Sequence, residues 1–174
     1  MRIGLSGTVS VGKSTLIKEL AKLEQFKDYH IATERSKYLR DLGIPLNTDS
    51  TVFGQFIFIA ERASELMYEN LLTDRSIWDV CAFTLSSKTI KWDNRKKLVE
   101  ASELLMDYYD VIFYISPEGI ELEDNQIRCT DPIYRDKIDY SIKSLLAEYP
   151  PKKLINIQGT TEERIKIILE HIST

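Results

Sequence analysis

The stretch that decides the fold is GLSGTVSVGKSTLIKEL, residues 4–20, in which a short apolar segment gives way to two glycines and a lysine. Arg2–Ser6 has the apolar character of a buried strand, and apolar residues recur at helical spacing after Lys13. A strand, a glycine-containing turn and a helix in immediate succession predict a backbone that bends around a bound group.

The turn satisfies the pattern G-x-x-x-x-G-K-[ST] without a departure. Its glycines let successive backbone N–H groups face inward, and the N-terminus of the following helix adds partial positive charge. Lys13 can reach the β- and γ-phosphates of ATP as a catalytic residue, and Ser14 can ligate Mg²⁺. We expect the Lys13 ammonium to face solvent until a nucleotide binds. The predicted nucleotide-binding residues are Gly7, Thr8, Val9, Ser10, Val11, Gly12, Lys13, Ser14 and Thr15.

Composition favours one domain over residues 1–174 and a small ligand. The chain has 174 residues, of which 43% are hydrophobic, and a net charge of −4. This charge gives no general attraction to nucleic acid, although a local basic groove stays possible. The two cysteines, Cys81 and Cys129, form no metal-ligand pattern, and no signal peptide or membrane span is apparent. We expect a cytoplasmic protein with reduced thiols.

Short apolar runs alternate with helical periodicity, which predicts an α/β fold with a five-stranded parallel sheet. The predicted strands are Arg2–Ser6, 29–33, 70–73, Val111–Ile115 and Leu154–Ile157. The predicted helices are 13–24, 35–42, 51–69, 77–85, 94–109, Pro132–Glu148 and 162–172. Asp93, Asp131 and Thr160 with Thr161 are the expected N-terminal caps of the last three helices.

Asp74 and Arg75 come directly after the third predicted strand, at the edge where ligands of open α/β sheets bind. The string LLTDRSIWDVCAF, residues 71–83, resembles the DR-x-x-x-D segment of the nucleoside and nucleotide kinase branch of P-loop proteins. The resemblance implies a three-layer P-loop NTPase fold of nucleotide-kinase type with a helical lid. It implies that Asp74 is catalytic and a metal ligand with Ser14, and that Arg75 is catalytic and binds substrate. A capping Asp beside a surface Arg is the structural alternative.

The string HIATERSKYLRDLG, residues 30–43, ends a predicted strand on Thr33-Glu34-Arg35. It resembles the E-x-x-R segment of the nicotinamide riboside kinase domain and its AAA-like ATPase/kinase relatives. The resemblance implies that Glu34 is catalytic and binds the acceptor, whereas a first-turn helix acid is the alternative. Leu39 stands where deoxynucleoside kinases have the Trp of E-x-x-x-x-W, so the chain lies nearest the nicotinamide riboside kinase-like group, with its substrate left open.

The string EDNQIRCTDPIYRDKIDYSIKSLL, residues 123–146, is similar to the lid region of the same kinases. The matching residues are Asp124, Arg128, Asp131, Arg135 and Asp139. The resemblance implies a lid over about 116–139, in which Arg128 and Arg135 are catalytic because they neutralise charge on the transferring phosphoryl group. Surface salt bridges are the alternative for both arginines.

Two base-binding regions follow from the same kinase branch. The third helix often lines the acceptor pocket there, so Gln55 and Phe56 are the predicted substrate-binding residues, with packing in the core as the alternative. For the donor base, Arg128 is expected to stack, and residues 158–160 are expected to supply backbone contacts.

Together these features predict a Mg²⁺- and ATP-dependent kinase that phosphorylates a nucleoside or nucleotide-like small molecule. Two alternatives remain open: an ATP-hydrolysing switch or regulatory module, and a kinase acting on DNA ends or modified bases. A GTPase is disfavoured because no N-K-x-D-like base reader occurs. The sequence predicts neither the acceptor nor the oligomeric state.

Overall fold

The computed structural model describes residues 1–33, 35–120 and 131–172. The strands in this part of the chain are β1 (Arg2–Ser6), β2 (His30–Ala32), β3 (Leu71–Thr73), β4 (Val111–Ile115) and β5 (Leu154–Ile157). The α-helices are α1 (Lys13–Leu20), α2 (Ser36–Asp41), α3 (Val52–Glu65), α4 (Ile77–Ser86), α5 (Trp92–Met106), α6 (Pro132–Glu148) and α7 (Thr161–Ile172). Short 3₁₀ turns cover Glu24–Phe26 and Asn47–Asp49.

All five strands are parallel, in the order β2-β3-β1-β4-β5. The central strand β1 pairs with β3 on one side and β4 on the other, so that Gly4 lies opposite both Thr73 and Ile112. Every residue of β4 is buried, as expected of a strand covered on both faces. The predicted α/β fold with a five-stranded parallel sheet is confirmed.

Two apolar clusters lie on opposite faces of the sheet. One contains Leu71 and Ile112 and packs against α3, α4, α5 and α6. The other contains Ile3, Leu5 and Phe113 and packs against α1 and α7. Because strand side chains alternate between faces, successive residues of β4 enter different clusters. The result is the three-layer arrangement that the sequence predicts.

Several predicted helix boundaries are wrong by a few residues. The helices predicted over 13–24 and 51–69 end earlier, at Leu20 and Glu65. Asp93 is not the N-cap of α5, because the helix begins at Trp92 and places Asp93 in its first turn. There its negative charge still faces the positive end of the helix dipole. The Asp131 cap is confirmed, since its carboxylate accepts the Ile133 N–H at 3.0 Å.

The predicted lid is described only at its two ends. Residues 116–120 follow β4, and α6 begins at Pro132, while 121–130, with Asp124 and Arg128, lie outside the described residues. Glu34 lies outside them as well. Across the described ranges, no helix combines the length and the apolar character needed to cross a bilayer.

Candidate active site

The loop between β1 and α1 has a backbone course that its glycines make possible. Gly7 has φ +151° and Gly12 has φ +82°, both in the region that favours glycine. A Cβ atom on Gly7 would lie 2.7 Å from the Ile115 carbonyl oxygen, so a side chain there would push β4 away. The loop therefore packs tightly against the sheet and curls before α1 begins.

The Lys13 side chain folds back onto this loop. Its ammonium donates to the Gly7 carbonyl at 2.5 Å and to the Thr8 carbonyl at 2.8 Å, and the residue is only 8% exposed. The expectation that the ammonium faces solvent is wrong, because the loop's own carbonyl oxygens offer it charge-assisted hydrogen bonds. The cation is nevertheless positioned within the loop that would surround a phosphate.

Three hydrogen bonds connect the loop to other elements: two join side chains of helices to the loop backbone, and one joins a loop side chain to a helix backbone. Asp79, on α4, accepts the Gly7 N–H at 2.9 Å, and Arg164, on α7, donates to the Val11 carbonyl at 2.7 Å. The Thr8 hydroxyl donates to the Arg135 carbonyl of α6 at 3.0 Å. Helices on both faces of the sheet thus fix the loop.

Asp79 also closes the start of its own helix. Its second carboxylate oxygen accepts the Ser76 N–H at 3.0 Å and the Ser76 hydroxyl at 2.7 Å. The carboxylate is fully buried, so these donors replace the water that it loses on folding. One side chain therefore connects the phosphate loop to the turn that carries Asp74 and Arg75.

Asp74 and Ser14 form an oxygen pair beside the loop. The Ser14 hydroxyl donates to Asp74 Oδ2 at 2.7 Å. Asp74 is 1% exposed, and its Oδ1 has no hydrogen-bond partner among the described residues. An orphaned carboxylate oxygen next to a hydroxyl fits Mg²⁺, which binds oxygen and often uses only one or two protein ligands.

A buried ion pair packs against the Asp74-Arg75 turn and bonds to its backbone. Arg62 of α3 pairs with Glu65 and donates to the Arg75 carbonyl at 2.7 Å. Glu65 also accepts the Thr73 hydroxyl at 3.0 Å. Burial raises the pKa of the Glu65 carboxyl, against the opposing effect of Arg62.

A small pocket of about 20 Å³ adjoins Arg75 and is the candidate acceptor site. Its lining residues are Ser36, Leu46, Asn47, Gln55, Phe58, Arg75, Val80 and Phe83. The Arg75 guanidinium lies 4.5 Å from the centre of the Phe83 ring, within cation–π range. The Gln55 carbonyl oxygen accepts the Thr84 hydroxyl at 2.9 Å, which fixes the amide against α4.

Two adjoining cavities of about 410 and 310 Å³ open on the other side of the phosphate loop. The larger is lined by the loop and α1, including Ser14 and Thr15, and by the start of α7. The smaller is lined by 116–120 and by Gln158-Gly159-Thr160. The turn predicted to contact the donor base therefore lies beside the phosphate cradle.

The structure brings together Lys13, Ser14, Asp74 and Arg75 at the carboxyl edge of the sheet. Gln55 lines the acceptor pocket, whereas Phe56 is 53% exposed and does not line it. The pocket takes its aromatic walls from Phe58 and Phe83 instead.

Arg135 and Val9 both have buried side chains. Arg135 is buried, and its guanidinium donates to the Ile120 carbonyl at 2.7 Å and the Pro117 carbonyl at 3.4 Å. Val9 packs in the core. Asp139, the last acid of the lid pattern, accepts the Tyr114 hydroxyl at 2.5 Å and pairs with Lys143 at 2.9 Å.

Sequence reasoning missed the contacts of Asp79 and Arg164. Asp79 is the last acid of the DR-x-x-x-D string, so the motif marks this residue, but the motif does not indicate that its carboxylate bonds to the phosphate loop. Arg164 belongs to none of the motifs considered, and its contact with Val11 spans 153 residues. Such a contact follows from topology and cannot be read from local spacing.

Comparison with known proteins places this geometry in a family. The model of a family described as AAA domain matches residues 2–164. A deoxyadenosine kinase from M. mycoides, solved with products dCMP and a flexible dCDP, is 16% identical with a TM-score of 0.70, and the match covers 99% of this chain and 98% of that one. The NadR protein in complex with NAD and AMP-PNP is 14% identical with a TM-score of 0.74, over 99% of this chain and 49% of that one. No curated protein sequence matches.

Proposed function

The chain belongs to the AAA domain family, and from this premise we propose that it is an ATP-dependent kinase acting on a nucleoside or nucleotide-like small molecule. The proposal rests on one observation. Asp74, which accepts the Ser14 hydroxyl, is followed directly by Arg75, which lines the pocket. A donor site and an acceptor site therefore share one turn. A module that only hydrolyses ATP needs no such second pocket.

On the donor side, the backbone N–H groups of the loop and the Lys13 ammonium bind the β- and γ-phosphates. Lys13 already lies inside the loop, so it reaches a phosphate by exchanging its bonds to the Gly7 and Thr8 carbonyls. Ser14 and Asp74 would hold Mg²⁺, which supplies positive charge to the phosphate oxygens when it is bound.

On the acceptor side, Arg75 orients the molecule that receives the phosphoryl group. Phe58 and Phe83 give the pocket flat apolar walls, as a base or nicotinamide ring requires. The Thr84 hydroxyl donates to the Gln55 side-chain oxygen, which leaves the Gln55 NH₂ group to donate to the edge of the ring. The fold shared with a deoxyadenosine kinase and with NadR supports an acceptor of this class.

Glu34 is the proposed general base when the acceptor is a hydroxyl, because Asp74 is committed to Ser14 and the metal. Glu34→Gln should then lower kcat by about 10²–10⁴-fold with little change in ATP affinity. If the acceptor is a nucleoside monophosphate, its phosphate needs no base, and Arg75→Ala should weaken acceptor binding more than Glu34→Gln slows turnover. Arg128 and Arg135 are proposed to neutralise the transferring group.

The test is a phosphotransfer screen with Mg²⁺-ATP against nucleosides, nucleoside monophosphates, nicotinamide riboside and DNA. Transfer to a small molecule that is lost in Lys13→Ala supports the proposal. Hydrolysis that no acceptor changes would point to a switch module. Salt-sensitive phosphorylation of DNA would point to a nucleic-acid kinase.

A further inference from the structure

Arg164 is a buried cation that has no carboxylate partner among the described residues. The residue lies in the first turns of α7 and is 6% exposed, and its Nη1 donates to the Val11 carbonyl at 2.7 Å. None of the ion pairs found in the described residues includes it. Its Nε has no hydrogen-bond partner in the same part of the chain.

The neighbouring carboxylate is used elsewhere. Glu163 precedes Arg164 but accepts the Thr160 N–H at 2.7 Å, which closes the start of the helix. Burial lowers the pKa of Arg164. Burying a charge that only a carbonyl oxygen satisfies is unfavourable, so the fold keeps Arg164 at a cost in stability.

The guanidinium lies where the phosphate cradle opens. Arg164 lines both donor-side cavities, and its Nη1 lies 3.3 Å from the position that a Cβ atom on Gly12 would take. The larger cavity also exposes Ser14 and Thr15 at the start of α1. A nucleotide whose terminal phosphates occupy the loop must pass this cation on its way to the 158–160 turn.

We propose that Arg164 binds the donor nucleotide through a phosphate group at the exit of the cradle, on the side away from the transferred phosphoryl. This inference rests on the proposed function and adds a binding residue to the donor site. A ligand phosphate supplies the anion that the described residues lack. Because ADP keeps that phosphate, Arg164 contributes equally to binding ATP and ADP.

The experiment measures dissociation constants for ATP, ADP and adenosine by calorimetry in Mg²⁺, with wild type, Arg164→Gln, Arg164→Lys and Lys13→Ala. Lys166→Gln is the matched control, because Lys166 is an exposed cation on the same helix. We expect Arg164→Gln to weaken ATP and ADP by about tenfold, the effect of one charged hydrogen bond, and to leave adenosine unchanged. The ATP and ADP affinities of Arg164→Lys should lie between those of wild type and Arg164→Gln. Lys166→Gln should bind all three ligands as tightly as wild type does.

Two results would overturn the proposal: unchanged ATP and ADP affinity in Arg164→Gln, or an equal loss for adenosine, which indicates a purely structural role. If Arg164→Gln does not fold, the ¹⁵Nε resonance of Arg164 in the wild type decides. A shift with ADP but not with adenosine supports the proposal, and no shift rejects it.

The same measurements separate this inference from the proposed function. ATP binding that needs Lys13 but not Arg164 rejects the inference alone. A wild-type protein that binds neither ATP nor ADP rejects both.

Discussion

The phosphate loop and the acceptor pocket lie at the same edge of the sheet, but different kinds of contact hold them in shape. Around the loop, Asp79, Arg164 and Lys13 all bond to backbone groups. Around the pocket, the contacts join side chains, as between Gln55 and Thr84 or Arg75 and Phe83. The first region depends on where its backbone lies, and the second on which side chains are present.

This difference predicts how substitutions in the two regions affect activity. A phosphate is recognised by backbone N–H groups and by charge, and the backbone course that presents these N–H groups depends on Gly7 and Gly12. A base is recognised by a few side chains of defined shape and polarity. We therefore expect substitutions near the loop to abolish turnover, and substitutions in the pocket to change which acceptor binds.

Among changes to the phosphate loop and its contacts, the largest effect should come from Lys13→Ala. The variant removes the cation that we propose to contact the β- and γ-phosphates, so kcat should fall by about 10²–10³-fold. Lys22→Ala, which changes an exposed lysine just after the same helix, should retain full activity. Steady-state kinetics with Mg²⁺-ATP measure both. Equal turnover in the two variants would contradict the donor assignment.

Asp79→Asn should come next, because it alters the link between the two regions. The Asn amide cannot accept both the Gly7 N–H and the two Ser76 donors, so the loop and the Asp74-Arg75 turn lose their shared anchor. We expect kcat to fall by about 10–10²-fold and the free energy of unfolding by about 1–3 kcal/mol.

Asp93→Asn is the control for Asp79→Asn, since Asp93 lies exposed in the first turn of α5. It should leave kcat unchanged and lower the free energy of unfolding by no more than about 0.3–1 kcal/mol, the contribution of a charge at a helix N-terminus. If Asp79→Asn loses stability but keeps its kcat, Asp79 serves the fold and does not position the site.

A smaller, pocket-specific effect should follow from Gln55→Leu. The substitution removes the amide held by Thr84, so the acceptor KM should rise by about tenfold while the ATP KM stays constant. Phe56→Ala, one residue along the same helix but exposed, should leave both KM values unchanged. A raised acceptor KM in Phe56→Ala alone would place the acceptor on the other face of α3.

The smallest effect should be a pH dependence of stability at Glu65. Burial raises the pKa of this carboxyl above its ordinary value of 4.5, so the folded state holds the proton more tightly than the unfolded state. The stability that this bound proton adds is fully present below pH 4.5, and it is lost as the pH rises through the pKa that Glu65 has in the folded state. Between pH 4 and 7, the free energy of unfolding measured with urea should fall less in Glu65→Gln than in wild type.

Glu69→Gln serves as the control for this pH series, because Glu69 is exposed just beyond the same helix. Its unfolding curve should follow that of wild type at each pH. A wild-type stability that rises over this range, and loses that rise in Glu65→Gln, would mean that the carboxylate form is the one the fold prefers.

The donor region could be predicted from sequence because its chemistry is contiguous. Gly7, Gly12, Lys13 and Ser14 lie within one loop, and the strand before and the helix after it have clear periodicity. The acceptor pocket could not be predicted to the same depth. Phe56 and Phe58 lie two residues apart on one helix, and only the packing of α3 against α4 decides which of them faces inward.

The position of β1 in the sheet has a consequence for how the chain acquires its structure. Among the five strands this one is made first, yet it pairs with β3 and β4, whose first residues, Leu71 and Val111, come far later in the sequence. Parallel pairings of such sequence separation close slowly. Until Asp79 has emerged to accept the Gly7 N–H, the phosphate loop lacks the contact that fixes its first residue. A nascent chain that ends before Asp79 should therefore gain no protection from ATP, and nucleotide can assist folding only after this residue has emerged.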